Sequence, residues 1–483
     1  MKKTNQKGKK IVYIIIRNAF GGNEVKGKWK KSFAVLCAFF TLGAAATLAG
    51  CQTVASVRGA DGKDGKDLTV YDLYTEVYEK GIFTGSYEEY LASLKVQVNA
   101  ENDTTTIAKN IASTVSIVCG FKKKESALKT KVSASAGAGV IVDLDKENGD
   151  AYIVTNYHVV YETSEKTDNA NGISSDAYVY LYGARVGFTK GDSNNDGYLD
   201  FGAEMTDLYD GIQVTYVGGA MDYDIALLKI ENSDYLKNSV AEEATLGNSD
   251  VVELGEKVFA VGNPQGEGIS VTDGIISKDS ETISLKRLDG ASGTFNVRVL
   301  RTSAAINGGN SGGGMYNAEG ELIGIVNAKS VEEDVDNMGY ALPISMVKNL
   351  LHNIYDCTTS PEIQSKGALV AKLGIITFVT ASKADYVDGK LRVIQEITVD
   401  SVSSGYAGSG KLQKNDIIKG LALKKDGSSE IGEFFYVWRD FQISDWLLQV
   451  RYGDTVVVRV ERNGQTKDVE VEYNQASYFT KCA

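Results

Sequence analysis

Three short stretches of this chain carry residue types that could cooperate in acyl transfer. They are Thr155-Asn156-Tyr157-His158-Val159-Val160, Asp222-Tyr223-Asp224-Ile225-Ala226-Leu227-Leu228 and Gly309-Asn310-Ser311-Gly312-Gly313. A serine hydroxyl is a weak nucleophile until a base takes its proton. Imidazole is the side chain that changes charge near neutral pH, and a carboxylate behind it fixes its tautomer and stabilises the imidazolium. The chain has 2 histidines, and His352 falls in a predicted helix after Ser311, which leaves His158 as the base and Asp224 as the orienting acid. The glycines flanking Ser311 form a tight turn with few side chains. Backbone N–H groups of Gly309, Asn310 and Ser311 can then converge on a developing oxyanion, where one donor contributes ~3–4 kcal/mol in the transition state. Each stretch alone has a bland reading, as a Gly-rich turn, a structural histidine or a turn into a core strand. Together, in one order and each at the edge of a predicted strand, they favour catalysis.

The order His, Asp, Ser is that of the chymotrypsin-like arrangement and not of the subtilisin or α/β-hydrolase ones. The surrounding elements agree with it. From about Thr105 to Asn353 the texture is one of short β-type runs, such as 139–143, 152–155, 212–217, 225–230 and 258–261, separated by Gly, Asn and Asp turns. Many short strands with regular turn signals predict an all-β sandwich or a pair of barrels. Residues 344–354 read as a helix closing this region, and 356–366, with Pro361, as a linker. The stretch from Gly367 to about Tyr473 mixes strands (391–398, 455–461) with a helix over 440–450, which suits one α+β domain. Upstream, residues 68–98 show an apolar pattern near helical period, broken by Gly81 and Gly85, and predict a small helical module. Residues 51–67 are a Gly-rich tether.

With 483 residues, two or three domains are expected. The formal charge is −12, but residues 1–50 hold ten of the 51 basic residues and one of the 63 acids. The remainder therefore carries 41 basic and 62 acidic residues, a net of −21. So acidic a chain is a poor nucleic-acid binder, because phosphate contacts need clustered Lys and Arg. Lys26, Lys28, Lys30 and Lys31 precede the uncharged stretch 32–50, and Leu48-Ala49-Gly50-Cys51 follows the pattern of a lipoprotein cleavage site. Residues 1–50 are thus expected to be a signal peptide, with Cys51 lipidated and the rest on the extracytoplasmic face of the membrane. An uncleaved membrane anchor is the competing reading. Cys119, inside an apolar run, reads as a buried small hydrophobe, while a Cys357–Cys482 bridge is left open.

At these residues the chain resembles the HtrA (DegP/DegQ-like) serine proteases. The resemblance runs through 152–160, Asp224-Ile225-Ala226-Leu227, Gly262-Asn263-Pro264 with 271–277, the nucleophile loop 305–313, and 339–344. It implies a chymotrypsin-like double β-barrel protease domain over 105–355 in a mostly β fold, acting on unfolded or misfolded proteins. It also implies that Ala304, Ala305 and Ile306 line the primary specificity pocket; with no acid among them, small or aliphatic residues are expected before the scissile bond. The C-terminal region, 367–475, resembles a PDZ domain. By that resemblance Leu373, Gly374 and Ile375 would receive a peptide's terminal carboxylate, and 376–379 would be the edge to which the peptide adds. Asn415 stands where glycine is usual and is expected to tolerate a left-handed backbone.

Two departures accompany the resemblance. Gly314 replaces the usual Pro or Ala, and the segment between His158 and Asp224 is longer than usual. That insertion contains Asp192-Ser193-Asn194-Asn195-Asp196-Gly197-Tyr198-Leu199-Asp200, with oxygen ligands at alternate positions. A structural Ca²⁺ loop through Asp192, Asn194, Asp196 and Asp200 is one reading. A solvated Asx turn is the favoured one, because Ala203 occupies the position of the bidentate acid. The expectation is a membrane-tethered extracytoplasmic serine endopeptidase that needs no cofactor for its chemistry. Its partners would be unfolded proteins and peptide C-termini, and it could assemble as a homo-oligomer. The alternative is a surface peptide-binding or holdase lipoprotein with a latent protease domain.

Overall fold

The computed structural model describes residues 74–75, 78–79, 81, 84–86 and 103–482, apart from 164–165, 201–202, 208, 328–337, 360–365 and 388. The expected signal segment, Cys51 and the tether over 51–67 lie outside these residues. The chain divides into two compact units, 1–102 and 103–483. In the first, residues 74–75 and 78–79 are helical. The Tyr74 and Tyr78 rings, one helical turn apart, stand 5.6 Å centroid to centroid.

The second unit opens with helix α1 (Asp103–Ala112) and then a curled sheet. Its strands are β1 (Thr114–Ser126), β2 (Lys129–Asp145), β3 (Asp150–Thr155), β4 (Asp176–Tyr180), β7 (Ile212–Gln213), β8 (Thr215–Ala220) and β9 (Ile225–Ile230), in the order β7-β4-β1-β2-β3-β9-β8. The edge strands β7 and β8 are separated by the single residue Val214. The two edges therefore meet through the chain itself, and the sheet closes on itself without a final ladder. Inside lie Val115, Ile117, Cys119, Ile141, Ile153, Val179 and Leu228, all fully or nearly fully buried. The one-turn helix α2 (Tyr157–Val160) follows β3, and another single turn, α3 (Asp234–Lys237), follows β9. Between β4 and β7 the chain makes an excursion containing the short pair β5 (Phe188–Thr189) and β6 (Thr206–Asp207).

Six further strands form a closed barrel in the order β10-β11-β12-β15-β14-β13. They are β10 (Lys257–Gly262), β11 (Ser270–Lys286), β12 (Thr294–Thr302), β13 (Gly314–Asn317), β14 (Leu322–Asn327) and β15 (Gly339–Pro343). Helix α4 (Ile344–Thr359) closes it and runs five residues past the expected end, into the expected linker. Val140, Val154, Leu227, Val261, Val299, Tyr316, Ile325, Leu350 and Ile354 share one buried cluster, so both barrels and α4 pack around a common seam. Burial of such aliphatic surface, at about 25 cal/mol per Å², is what holds two polar-looped barrels together.

The remaining strands are β16 (Ala368–Ala371), β17 (Ile375–Val387), β18 (Lys390–Val402), β19 (Ile417–Lys424), β20 (Phe435–Tyr436), β21 (Thr455–Arg462), β22 (Gln465–Glu472) and β23 (Phe479–Cys482), with helix α5 (Phe441–Leu447). β17 is the edge of the sheet β17-β18-β19-β21-β22, and β16 pairs with β23. The stretch between Thr380 and Leu391, expected as a long loop, is the tip of a β17–β18 hairpin paired from Ile375↔Val402 to Val387↔Lys390. Asn415 adopts φ 71°, the left-handed backbone expected of it. Cys119, Cys357 and Cys482 are buried free thiols, so the Cys357–Cys482 bridge left open by the sequence is not made.

Candidate active site

Each proposed catalytic residue sits in a turn next to a strand: His158 just after β3, Asp224 just before β9 and Ser311 just before β13. Asp224 ends a 3₁₀ turn, 221–223, in a left-handed conformation (φ 52°, ψ 42°) and leads directly into β9. Asp is among the few non-glycine residues that accept this conformation readily. Its carbonyl is held by Tyr157 N–H at 3.1 Å and by the Asn156 side-chain amide at 3.0 Å. Its carboxylate accepts the His158 backbone N–H on Oδ1 at 2.9 Å and lies 2.7 Å from His158 Nδ1 through Oδ2. With Nδ1 so occupied, Nε2 is the ring nitrogen left for proton transfer.

Asp224 Oδ2 has a second donor, Asn327 Nδ2 at 3.0 Å, from the end of β14 in the other barrel. Sequence reasoning missed Asn327. The only signal would have been an amide at the end of a predicted strand, and such residues are too common to single one out. The bond carries the orientation of the acid across the seam. Asp224 is 1% exposed, so its carboxylate is served by protein donors instead of water.

Ser311 is brought to the same place by close backbone contact. Ala138 N–H donates to Ser311 O at 2.8 Å, and Gly312 N–H donates to Val326 O at 2.9 Å. A side chain on Gly137 would lie 2.7 Å from Val159 Cγ2 and 3.1 Å from Ser311 O. One on Gly312 (φ 85°) would run into Ala138 O and Thr155 Oγ1 and sit 3.1 Å from Asn156 N. The nucleophile loop is therefore seated directly against the segment carrying His158, and only glycine fits at both contacts.

The peptide before Gly309 is also oriented. Gly308 O accepts Gln265 N–H at 2.8 Å. No cis peptide occurs among the described residues, so the Gly309 N–H points away from the Gly308 carbonyl and from Gln265. Asn310 behaves differently from the expectation that all three amides would serve. Its N–H donates to Asn307 O at 3.0 Å, which closes the turn and removes it from the set of donors. The oxyanion expectation then rests on Gly309 and Ser311.

Among the residues expected to line a specificity pocket, Ala304 is 1% exposed and belongs to the core of the second barrel, a correction to that expectation. Its neighbour Ala305 is exposed, and Ile306 is half-buried against Gly339. In the insertion, Asp192 accepts Asp196 N–H and Gly197 N–H at 3.0 and 2.8 Å, Asp196 accepts Tyr198 N–H at 2.9 Å, and Asp200 accepts Ser193 N–H at 2.8 Å. Asn194 is drawn in too, accepting Asp196 N–H at 3.0 Å. These oxygens stabilise turns, and no group of three acids, histidines or cysteines among the described residues is arranged to hold a metal ion.

A second concave site lies between β17 and α5, with a volume of about 430 Å³. Leu373, Gly374 and Ile375 line it on one side and Ile443 and Leu447 on the other. Tyr223, the residue before Asp224, contributes to the same groove. Helix α5 is fixed to the second barrel by a contact of Asp445 with Arg298, whose guanidinium lies 3.5 Å from the Phe441 ring centroid.

Two facing barrels, with base, acid and nucleophile at their seam, define a trypsin-like serine peptidase. The trypsin-like peptidase domain model matches residues 137–325. Serine protease Do-like HtrA of Bacillus subtilis is 30% identical over 368 residues, covering 74% of this chain and 67% of that protein. Serine protease Do-like HtrA of Lactococcus lactis subsp. cremoris is 27% identical over 406 residues, covering 79% and 85%. Serine protease Do-like HtrB of B. subtilis is 29% identical over 411 residues, covering 78% and 74%. The chain belongs to the HtrA family of serine proteases, and it is a serine endopeptidase.

Proposed function

We propose that this endopeptidase cuts unfolded or misfolded proteins outside the cytoplasm through a Ser311 acyl-enzyme. The observation that carries the reading is the pair of hydrogen bonds between the Asp224 carboxylate and His158, at backbone N and Nδ1, with the Ser311 loop seated against the same segment. His158 Nε2 takes the Ser311 Oγ proton as Oγ attacks the scissile carbonyl carbon. The oxyanion accepts from the Gly309 and Ser311 N–H groups. Collapse breaks the C–N bond, and His158 returns the proton to the departing amine. Water, deprotonated by the same imidazole, then attacks the ester and frees Ser311. All these steps use groups of the chain itself and require no cofactor. A Ca²⁺ ion at the Asp192–Asp200 loop would be structural only, and calorimetric titration with Ca²⁺ tests it.

The C-terminal sheet acts as a PDZ domain in this reading, with the amides of Leu373, Gly374 and Ile375 receiving a peptide's terminal carboxylate and β17 accepting it as an added strand. The unpaired edge of β17 and the glycine at φ 74° in position 374 support this assignment. Lipidation at Cys51 would tether the protein to the outer face of the membrane, and self-assembly would follow the habit of the family. A fluorophosphonate probe tests the core of the proposal. Full-length wild type should label and Ser311→Ala should not, with peptidase activity lost by roughly 10⁴–10⁶-fold. Absence of labelling under every activating condition, hydrophobic C-terminal peptides included, would favour the holdase reading instead.

A further inference from the structure

A separate cavity of about 380 Å³ lies behind the turn that carries His158. Its walls include the rings of Tyr157, Tyr161 and Tyr216 and the side chain of Met221, and Lys366 and Lys481 complete its lining. Tyr157 precedes the catalytic base, and Met221 opens the turn that ends at Asp224. The rings form a continuous aromatic wall, with centroids 5.3 Å apart for Tyr157–Tyr161 and 6.4 Å for Tyr157–Tyr216.

The two lysines come from the first and last strands of the C-terminal region, which pair with one another. Lys366 leads into β16, where its carbonyl accepts Gly219 N–H at 2.8 Å, and Lys481 pairs with Leu369 in β23. Both are exposed, and neither ammonium has a carboxylate partner among the described residues. Among the described residues, no carboxylate lines the cavity. Glu162 and Asp289 act only on the Tyr161 side, where they raise its hydroxyl after burial has done so. Burial pushes the Tyr157 hydroxyl up to about 12 and raises that of Tyr216 as well, so both stay protonated donors at any physiological pH. Two cations with no carboxylate partner among the described residues, beside an aromatic wall and in a chain otherwise rich in acids, select a ligand with one negative head and a flat apolar body. The volume suits an aromatic acid of about ten to twelve heavy atoms.

We propose that this cavity binds a small aromatic carboxylate, with its carboxylate between Lys366 and Lys481 and its ring against Tyr157 and Tyr216. The occupant joins the entry and exit of the C-terminal sheet to the turn holding His158, which makes the cavity an effector site distinct from both the triad and the groove beside α5.

The test uses the full-length chain in detergent, with 3-phenylpropanoate as probe and 3-phenylpropanamide as its uncharged counterpart, followed by isothermal titration calorimetry. The acid should bind at one site, and the amide should bind at least about tenfold more weakly. Combined Lys366→Gln and Lys481→Gln should weaken the acid by a similar factor, since exposed lysines can be replaced without loss of the fold. Lys372→Gln, at the other groove, should leave it unchanged. No measurable binding, equal binding of acid and amide, or loss on Lys372→Gln in place of the pair would each overturn the proposal. Ser311→Ala should bind the probe like wild type, so the result stands apart from whether the triad is active.

Discussion

Asp224, Asn310 and Ser311 are almost wholly buried, whereas Gly374, Ile375 and Thr377 at the groove beside α5 are half-buried and Ile376 between them is exposed. The catalytic junction is fixed by backbone. Glycines touch carbonyls, amides are oriented by other amides, and one carboxylate collects donors from two barrels. The groove is fixed by a helix that is itself pinned from outside, through Asp445 and Phe441 to Arg298. A site that must hold reacting atoms to a fraction of an ångström uses the first plan. A site that accepts varied peptide ends can use the second. Tyr223 belongs to both, because it lines the groove and precedes Asp224.

If the junction is as tightly determined as this, a single methyl group should ruin it. Gly312→Ala places a Cβ against Ala138 O and Thr155 Oγ1 at φ 85°. Left-handed strain and overpacking together should cost about 3–4 kcal/mol, and peptidase activity should vanish. Urea denaturation and a casein assay measure both, and a variant with normal stability and turnover would refute the packing argument.

Asn327→Ala should keep the fold but release Asp224 Oδ2 from its second donor. The catalytic efficiency should fall roughly 10- to 100-fold, chiefly in kcat, the range for a hydrogen bond to a charged group. Asn327→Asp should be worse, because an ionised acid faces Asp224 instead of a donor. An unchanged kcat in Asn327→Ala would show that the bond across the seam does not orient the acid.

At the groove, Gly374→Ala directs a Cβ into the Tyr406 ring, 2.6 Å from Cγ. Affinity for a peptide with an apolar C-terminus should drop about tenfold or more, while fluorophosphonate labelling of Ser311 persists. Fluorescence anisotropy reads the first and gel imaging the second. Loss of both together would mean the two sites are not separable.

The smallest effect falls outside both sites and calibrates the others. Burial, then the neighbouring charge of Asp145, pushes Asp143 up to about 6, opposed by a bond from Leu144 N–H. Because its folded pKa exceeds the unfolded value, the fold binds this proton more tightly. Stability should therefore decline as pH rises from about 4 to about 6 and stay lower above that. Asp143→Asn should be about 1–2 kcal/mol more stable than wild type at pH 7.5, an amount discounted for partial exposure, and indistinguishable from it near pH 4. Denaturation at the two pH values decides it.

Much of the catalytic junction was readable because its chemistry is locally encoded. Gly312 and Asp224 each need a particular residue type at a particular turn, and that need leaves a mark within a few positions. Asn327 left no such mark, since its value lies in a bond to a residue far away in the chain. Ala304 misled because the chain just past the end of β12 turns it into the core of the second barrel while leaving Ala305 exposed, a choice that no local pattern shows. Strands were readable from their apolar runs, but the length of β17 and β18 was not. Residues such as Lys383, Asp385 and Lys390 at their tips are charged and exposed, and polar hairpin tips look like loops when only the sequence is seen. The contribution of Tyr223 to the groove depends on how the C-terminal sheet rests on the barrels, which no local pattern records.

The excursion between β4 and β7 leaves and rejoins the first barrel at neighbouring rungs, because Val179 pairs with Ile212 and Tyr178 with Gln213. The stretch 181–211 is thus bracketed by a fixed span, and it rests on the β1–β2 hairpin, where Leu199 N–H donates to Thr130 O at 2.7 Å and Val132 N–H donates to Gly197 O at 2.9 Å. Evolution could lengthen or shorten its exposed turns at little entropic penalty, and an engineer could graft a reporter module at the exposed turn 182–183, where even a Cβ on Gly183 would meet no atom within 4 Å.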